Sequence, residues 1–149
     1  FEAFLLEVLS TWSVTIPELG TVVAATPPVV VLTSNRTREL HDALKRRCLY
    51  HWVEHPGLER ELAIVRARTP EVPEALAAQV VRAVHAMRSD TELLKPPGVA
   101  ETLDWARALH TLGTRELDTE SAARTLGVAL KYREDAQRIS AALDRILTP

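Results

Sequence analysis

Asn35 closes the run VVVLTSN, and a segment ending in Lys45, Arg46 and Arg47 follows it. Residues 29–32 are apolar and mostly β-branched, with Pro27 and Pro28 before them and Thr33 and Ser34 after. That pattern predicts a central parallel strand covered on both faces. Ligands of open α/β sheets lie beyond the carboxyl ends of the strands, so the amide of Asn35 stands where a site would be built. The same residue type also caps helices and makes turns. Lys45, Arg46 and Arg47 suit the negative end of a helix. Arg36 and Arg38 flank the turn, either as phosphate or subunit contacts or as solvated surface charge.

Other reactive side chains point to less. The single cysteine, Cys48, excludes an intrachain disulfide within these 149 residues and fits a reducing compartment. Beside Leu49 and Tyr50 it reads as small core filler, although the neighbouring arginines could lower a thiol pKa. His41, His51, His55, His85 and His110 form no ligand pair at helical spacing, so no metal site is expected. Trp12, Trp52 and Trp105 are scattered, which favours separate packing roles over a stacking platform for bases.

The elements that must position these groups fall into two compositional regions. Residues 2–9 carry Phe4, Leu5, Val8 and Leu9 at helical spacing, and residues 12–16 and 21–25 flank the turn residues 17–20 as a β-hairpin. After Trp52 a proline and a glycine intervene and the chain becomes helical, which places a domain boundary between residues 1–55 and 56–149. Helices are expected over 58–68, from Pro73 through Met87, from Gly98 to a glycine stop at Gly113, from a cap at Asp118 or Thr119, and over 134–147. The fold class is therefore α/β followed by all-α. A net charge of -2 argues against nucleic acid as the main partner. No apolar run approaches the roughly 20 residues of a membrane helix. A cytoplasmic protein is expected, and the opening at Phe1 directly into a helical pattern reads as a piece of a longer chain.

The hairpin VTIPELG, the strand ending VVLTSN, the helix ending ALKRRC and the helical region after a proline-containing loop together resemble the MoxR branch of the AAA+ ATPases. LKPPGVAETLDWARAL further resembles the members associated with von Willebrand factor A domain proteins, including the carbon-monoxide-dehydrogenase-maturation group. The resemblance implies the last part of an α/β nucleotide-binding core, with hairpin and sensor strand, followed by a helical lid. It places sensor 1 on Asn35, where an amide would hold water and γ-phosphate in line, and the arginine finger on Arg47, with Arg46 beside it. The hairpin would be the insertion that points to a central pore. The whole protein would bind ATP and Mg2+, assemble as a hexameric ring, and remodel a client. Its partners would be its own subunits, a von Willebrand factor A domain protein and a client metalloenzyme.

Two features depart from that family. The GxxxxGK[S/T] loop and the acidic pair that hold phosphate and magnesium are not among these 149 residues. Where the lid commonly carries a sensor 2 arginine the chain has Glu101 and Thr102, leaving Lys95, Thr102 and Arg107 as the lid groups offered to nucleotide. A non-enzymatic interaction module built on the lid is the alternative function, and a helical nucleic-acid-binding domain a more distant one.

Overall fold

A computed structural model describes residues 2–34 and 41–148, with backbone only for residues 2 and 3. Among the described residues the fold is mixed α/β and mostly helical, with eight helices and one two-stranded antiparallel sheet. The chain divides into two compact units, Phe1–Val53 and Glu54–Pro149.

In the first unit, α1 (Glu2–Thr11) leads into a hairpin of β1 (Ser13–Ile16) and β2 (Gly20–Val23). The register pairs Ser13 with Val23 and Ile16 with Gly20. The Leu19 amide donates to the Ile16 carbonyl at 3.2 Å, and Glu18 at φ 72° and Gly20 at φ 84° supply the left-handed backbone that closes the loop. Pro17 occupies the turn position that a fixed negative φ favours. The end of α1 is stitched to the hairpin: Thr11 Oγ1 lies 2.6 Å from Ser13 Oγ, and Thr15 Oγ1 donates to Glu7 Oε1 at 2.6 Å. Past the hairpin the only regular element described in this unit is α2 (Asp42–Lys45).

The central strand expected over residues 29–32 is not formed. These residues pair with no strand, and Val29 and Val31 are 95% and 80% exposed. A central strand owes its stability to ladder hydrogen bonds and to cover on both faces. The described residues provide neither, so propensity alone leaves the run without a sheet.

The second unit is α3 (Leu58–Arg68), α4 (Glu74–Arg88), α5 (Val99–Thr111), α6 (Thr119–Ala129), α7 (Arg133–Ser140) and α8 (Leu143–Leu147). Its core is centred on α4, whose Leu76, Val80, Val81, Val84 and Met87 are fully buried, against Val65, Trp105, Leu109, Leu126, Ile139 and Leu143. Trp105 buries its whole ring and donates its indole N–H to Thr125 Oγ1 at 2.7 Å, joining α5 to α6. The helix starts and stops follow local chemistry. Asp118 caps α6 by accepting from the Ser121 amide at 2.7 Å, with Ser121 Oγ accepting from the Asp118 amide in return. Gly113, at φ 77°, ends α5, its amide donating to His110 O and the Thr114 amide reaching back to Leu109 O. The single helix expected over 134–147 is two helices. A turn at Ala141 and Ala142 separates α7 from α8 and keeps both Ile139 and Leu143 in the core.

Candidate functional site

In the first unit the sequence-predicted candidates lie in the short arginine-bearing turn around α2. His41 starts it, its Nδ1 accepting from the Ala43 amide at 3.2 Å, and Leu44, 1% exposed, pins it inward. Lys45 pairs with Asp42 at 3.3 Å. The tail then tightens, with the Arg47 amide bonded to Leu44 O and the Cys48 amide to Lys45 O, a three-residue spacing that closes a helix in 3₁₀ fashion. Arg46 and Arg47 are both exposed just past α2, yet they are held differently. Arg47 donates from Nε to Ser10 Oγ at 3.0 Å and from Nη1 to Ala43 O at 2.8 Å. The Arg46 side chain has no hydrogen bond or ion pair among the described residues. Cys48 is a half-buried free thiol. Asn35, Arg36 and Arg38 lie outside the described residues.

In the second unit, Lys95, Thr102 and Arg107 do not share one site. The Lys95 side chain is exposed, and its backbone amide donates to Asp135 Oδ2 at 3.0 Å. Asp135, 2% exposed, takes the Leu94 amide on its other oxygen at 2.8 Å and so clamps the Pro-Pro loop to α7. Arg107 lies along the surface, with Nη2 bonded to Arg68 O at 2.8 Å and Nε 3.4 Å from Glu71 Oε1. Thr102 is fully buried. Its hydroxyl faces Glu61 Oε1 at 2.6 Å and Gly98 O at 3.0 Å, so it is spent inside the bundle.

Thr102 belongs to a buried polar cluster that sequence reasoning missed. Glu61, with no exposed surface, receives Arg88 as a two-pronged partner, Nη1 at 2.5 Å and Nη2 at 2.9 Å, and His85 Nε2 lies 2.9 Å from its second oxygen. α3, α4 and α5 thus meet on one carboxylate, and Arg88 Nε donates to Pro97 O at 2.6 Å, which ties in the turn before α5. Burial pushes the Glu61 carboxyl pKa up. The hydrogen bonds from Arg88 and Thr102, the Arg88 charge and the His85 contact outweigh burial and hold it below its ordinary value. A carboxylate with all its lone pairs engaged is a poor base, so this cluster fastens rather than reacts. Its signal was present as charge on an apolar stripe: Arg88 extends the row of Val81 and Val84, and Glu61 that of Val65, at helical spacing.

The tryptophans separate by environment, Trp105 in the core and Trp52 61% exposed with its ring 5.9 Å from that of Tyr50. No helix among the described residues is long and apolar enough to cross a membrane. Comparison of the chain with protein-family models, curated proteins and solved structures finds no match.

Proposed function

We propose that the chain is the C-terminal part of a MoxR-type AAA+ ATPase of the branch associated with von Willebrand factor A domain proteins, and that it contributes an arginine to ATP hydrolysis in a neighbouring copy. The observation that carries this reading is the order VTIPELG, VVLTSN, ALKRRC and LKPPGVAETLDWARAL along one chain. The first phrase lies across the β1–β2 hairpin, the third runs from Ala43 in α2 through the arginine turn, and the fourth runs from the clamped loop into α5. Residues 29–32 add a physical argument. An apolar run exposed on Val29 and Val31 requires cover from strands and helices beyond those described, as the sensor strand of a larger core would have.

In the whole protein, ATP and Mg2+ bind through a phosphate loop and acidic pair outside these residues, and subunits close into a ring, a hexamer in this reading. Asn35 orients the attacking water within its own subunit. Arg47 spreads transition-state charge across the interface, an effect worth about 10³ to 10⁵ in rate where it operates. A cytoplasmic setting, a von Willebrand factor A domain partner and a metalloenzyme client complete the proposal. Thr102 and Arg107 already have partners in the second unit, so lid contact with phosphate falls to Lys95, whose ammonium is exposed.

The test is ATP turnover by the full-length encoded protein. Arg47→Ala abolishes most turnover and leaves nucleotide affinity nearly intact, and mixing it with subunits lacking the phosphate-loop lysine restores part of the activity in trans. Unchanged turnover in Arg47→Ala, or no recovery in any mixture, overturns the assignment. The isolated 149 residues release no phosphate from ATP.

A further inference from the structure

Arginine loses much rotamer freedom when it grips a phosphate, and a guanidinium already fixed on one edge loses less. Arg47 is fixed on both flanks, Nε against Ser10 Oγ and Nη1 against Ala43 O, whereas the adjacent Arg46 side chain has no such bond among the described residues. The Ser10 hydroxyl commits its single proton to Leu6 O at 2.6 Å, so towards Arg47 it is purely an acceptor with a set direction. The platform beneath Ser10 is also fixed, because the Trp12 amide continues α1 by bonding Val8 O and the Ala24 amide returns from the hairpin to Trp12 O. Of the five N–H groups of a guanidinium, two are used here, which leaves three, both of those on Nη2 among them.

We propose that Ser10 is the positioning residue for Arg47, holding the Nε side of its guanidinium against α1 so that the Nη2 end is presented to a phosphate of a nucleoside triphosphate bound by a second copy. The proposal rests on the reading of Arg47 as the residue that acts across a subunit interface. Ser10 does not touch the phosphate; it acts through Arg47 alone.

The experiment measures kcat, KM for ATP and melting temperature in the full-length protein for Ser10→Ala, Ser10→Thr, Arg47→Ala and the double variant. Losing one exposed hydrogen bond to a charged group lowers kcat about 2- to 10-fold in Ser10→Ala, with KM and melting temperature held, while Ser10→Thr keeps the hydroxyl and restores the rate. In the Arg47→Ala background the Ser10 change has no further effect. If Arg47→Ala slows turnover but Ser10→Ala does not, or slows it equally in both backgrounds, the positioning role is overturned and the assignment of Arg47 stands. A loss in Ser10→Ala that follows a lowered melting temperature and is not restored by Thr also overturns it. If Arg47→Ala itself leaves turnover unchanged, the underlying reading fails instead.

Discussion

Replacing Arg88 by Leu isolates the energetics of the buried cluster in the second unit. The change leaves Glu61, which has no exposed surface, with only the Thr102 hydroxyl and the His85 ring as partners, and removes the donor to the Pro97 carbonyl. Breaking a buried ion pair from one side costs about 3–5 kcal/mol, because the remaining charge stays desolvated. Removing both charges together, as Glu61→Leu with Arg88→Met, avoids that penalty. What is left is the orphaned Pro97 carbonyl, about 1–3 kcal/mol for a buried unsatisfied acceptor. The double variant is therefore more stable than Arg88→Leu even though it removes more native hydrogen bonds. Urea unfolding of the 149-residue chain followed by helical circular dichroism reads this directly, since α3 through α8 all lie in the second unit. An Arg88→Leu variant within about 1 kcal/mol of the wild type would refute the reasoning, because the cost of an unpaired buried carboxylate is several kcal/mol.

Three further outcomes follow from named groups. The Glu61 carboxyl is held below its ordinary value of 4.5, so the unfolded chain takes up its proton first as pH falls; its contribution is complete above that value and is lost as pH drops through the lower folded value, and a urea midpoint measured against pH falls less steeply in Glu61→Gln. Gly113→Ala destabilises by about 1 kcal/mol, because φ is 77° with open space around the position, whereas Gly127→Ala, inside α6 and also in open space, stabilises by about 0.5–1 kcal/mol; thermal melts of the two variants should move in opposite directions. Asp135→Ala strips the acceptor from the Leu94 and Lys95 amides, costing about 1–3 kcal/mol, and hydrogen exchange at those two amides accelerates, while Asp135→Asn, with one carbonyl acceptor, lies between.

The helices that were legible are those whose ends are decided within one turn. Pro70 beyond α3, Pro73 before α4, Gly98 and Gly113 around α5 and Asp118 before α6 all act through φ, a missing donor or a cap bond to a residue three positions away. The hairpin belongs with them, because its turn residues decide where the strands end. The bend between α7 and α8 was not legible: Ser140, Ala141 and Ala142 include no helix breaker, and tertiary packing of Leu143 sets the new direction. Residues 29–32 failed in the opposite sense, since β-branched composition describes a strand's preference but a sheet is made by partners, and no partner lies beside them among the described residues.

The candidate site divides along the same line. The arginine pair is legible in the sequence as the end of a helix, although the structure ends α2 at Lys45, and what distinguishes Arg47 from Arg46 is a bond to Ser10, 37 residues earlier. The family resemblance offers Thr102 to nucleotide by its place in a motif, and its hydroxyl is instead directed to Glu61, 41 residues away. Both outcomes depend on which distant group a side chain meets, and hydropathy periodicity carries only part of that information. It does mark where an apolar stripe is interrupted by a charge, as at Glu61 and Arg88, and a buried charge must find an opposite one. The complementary interruptions at Glu61 and Arg88 pair α3 with α4, and the Thr102 hydroxyl on α5 completes the same carboxylate.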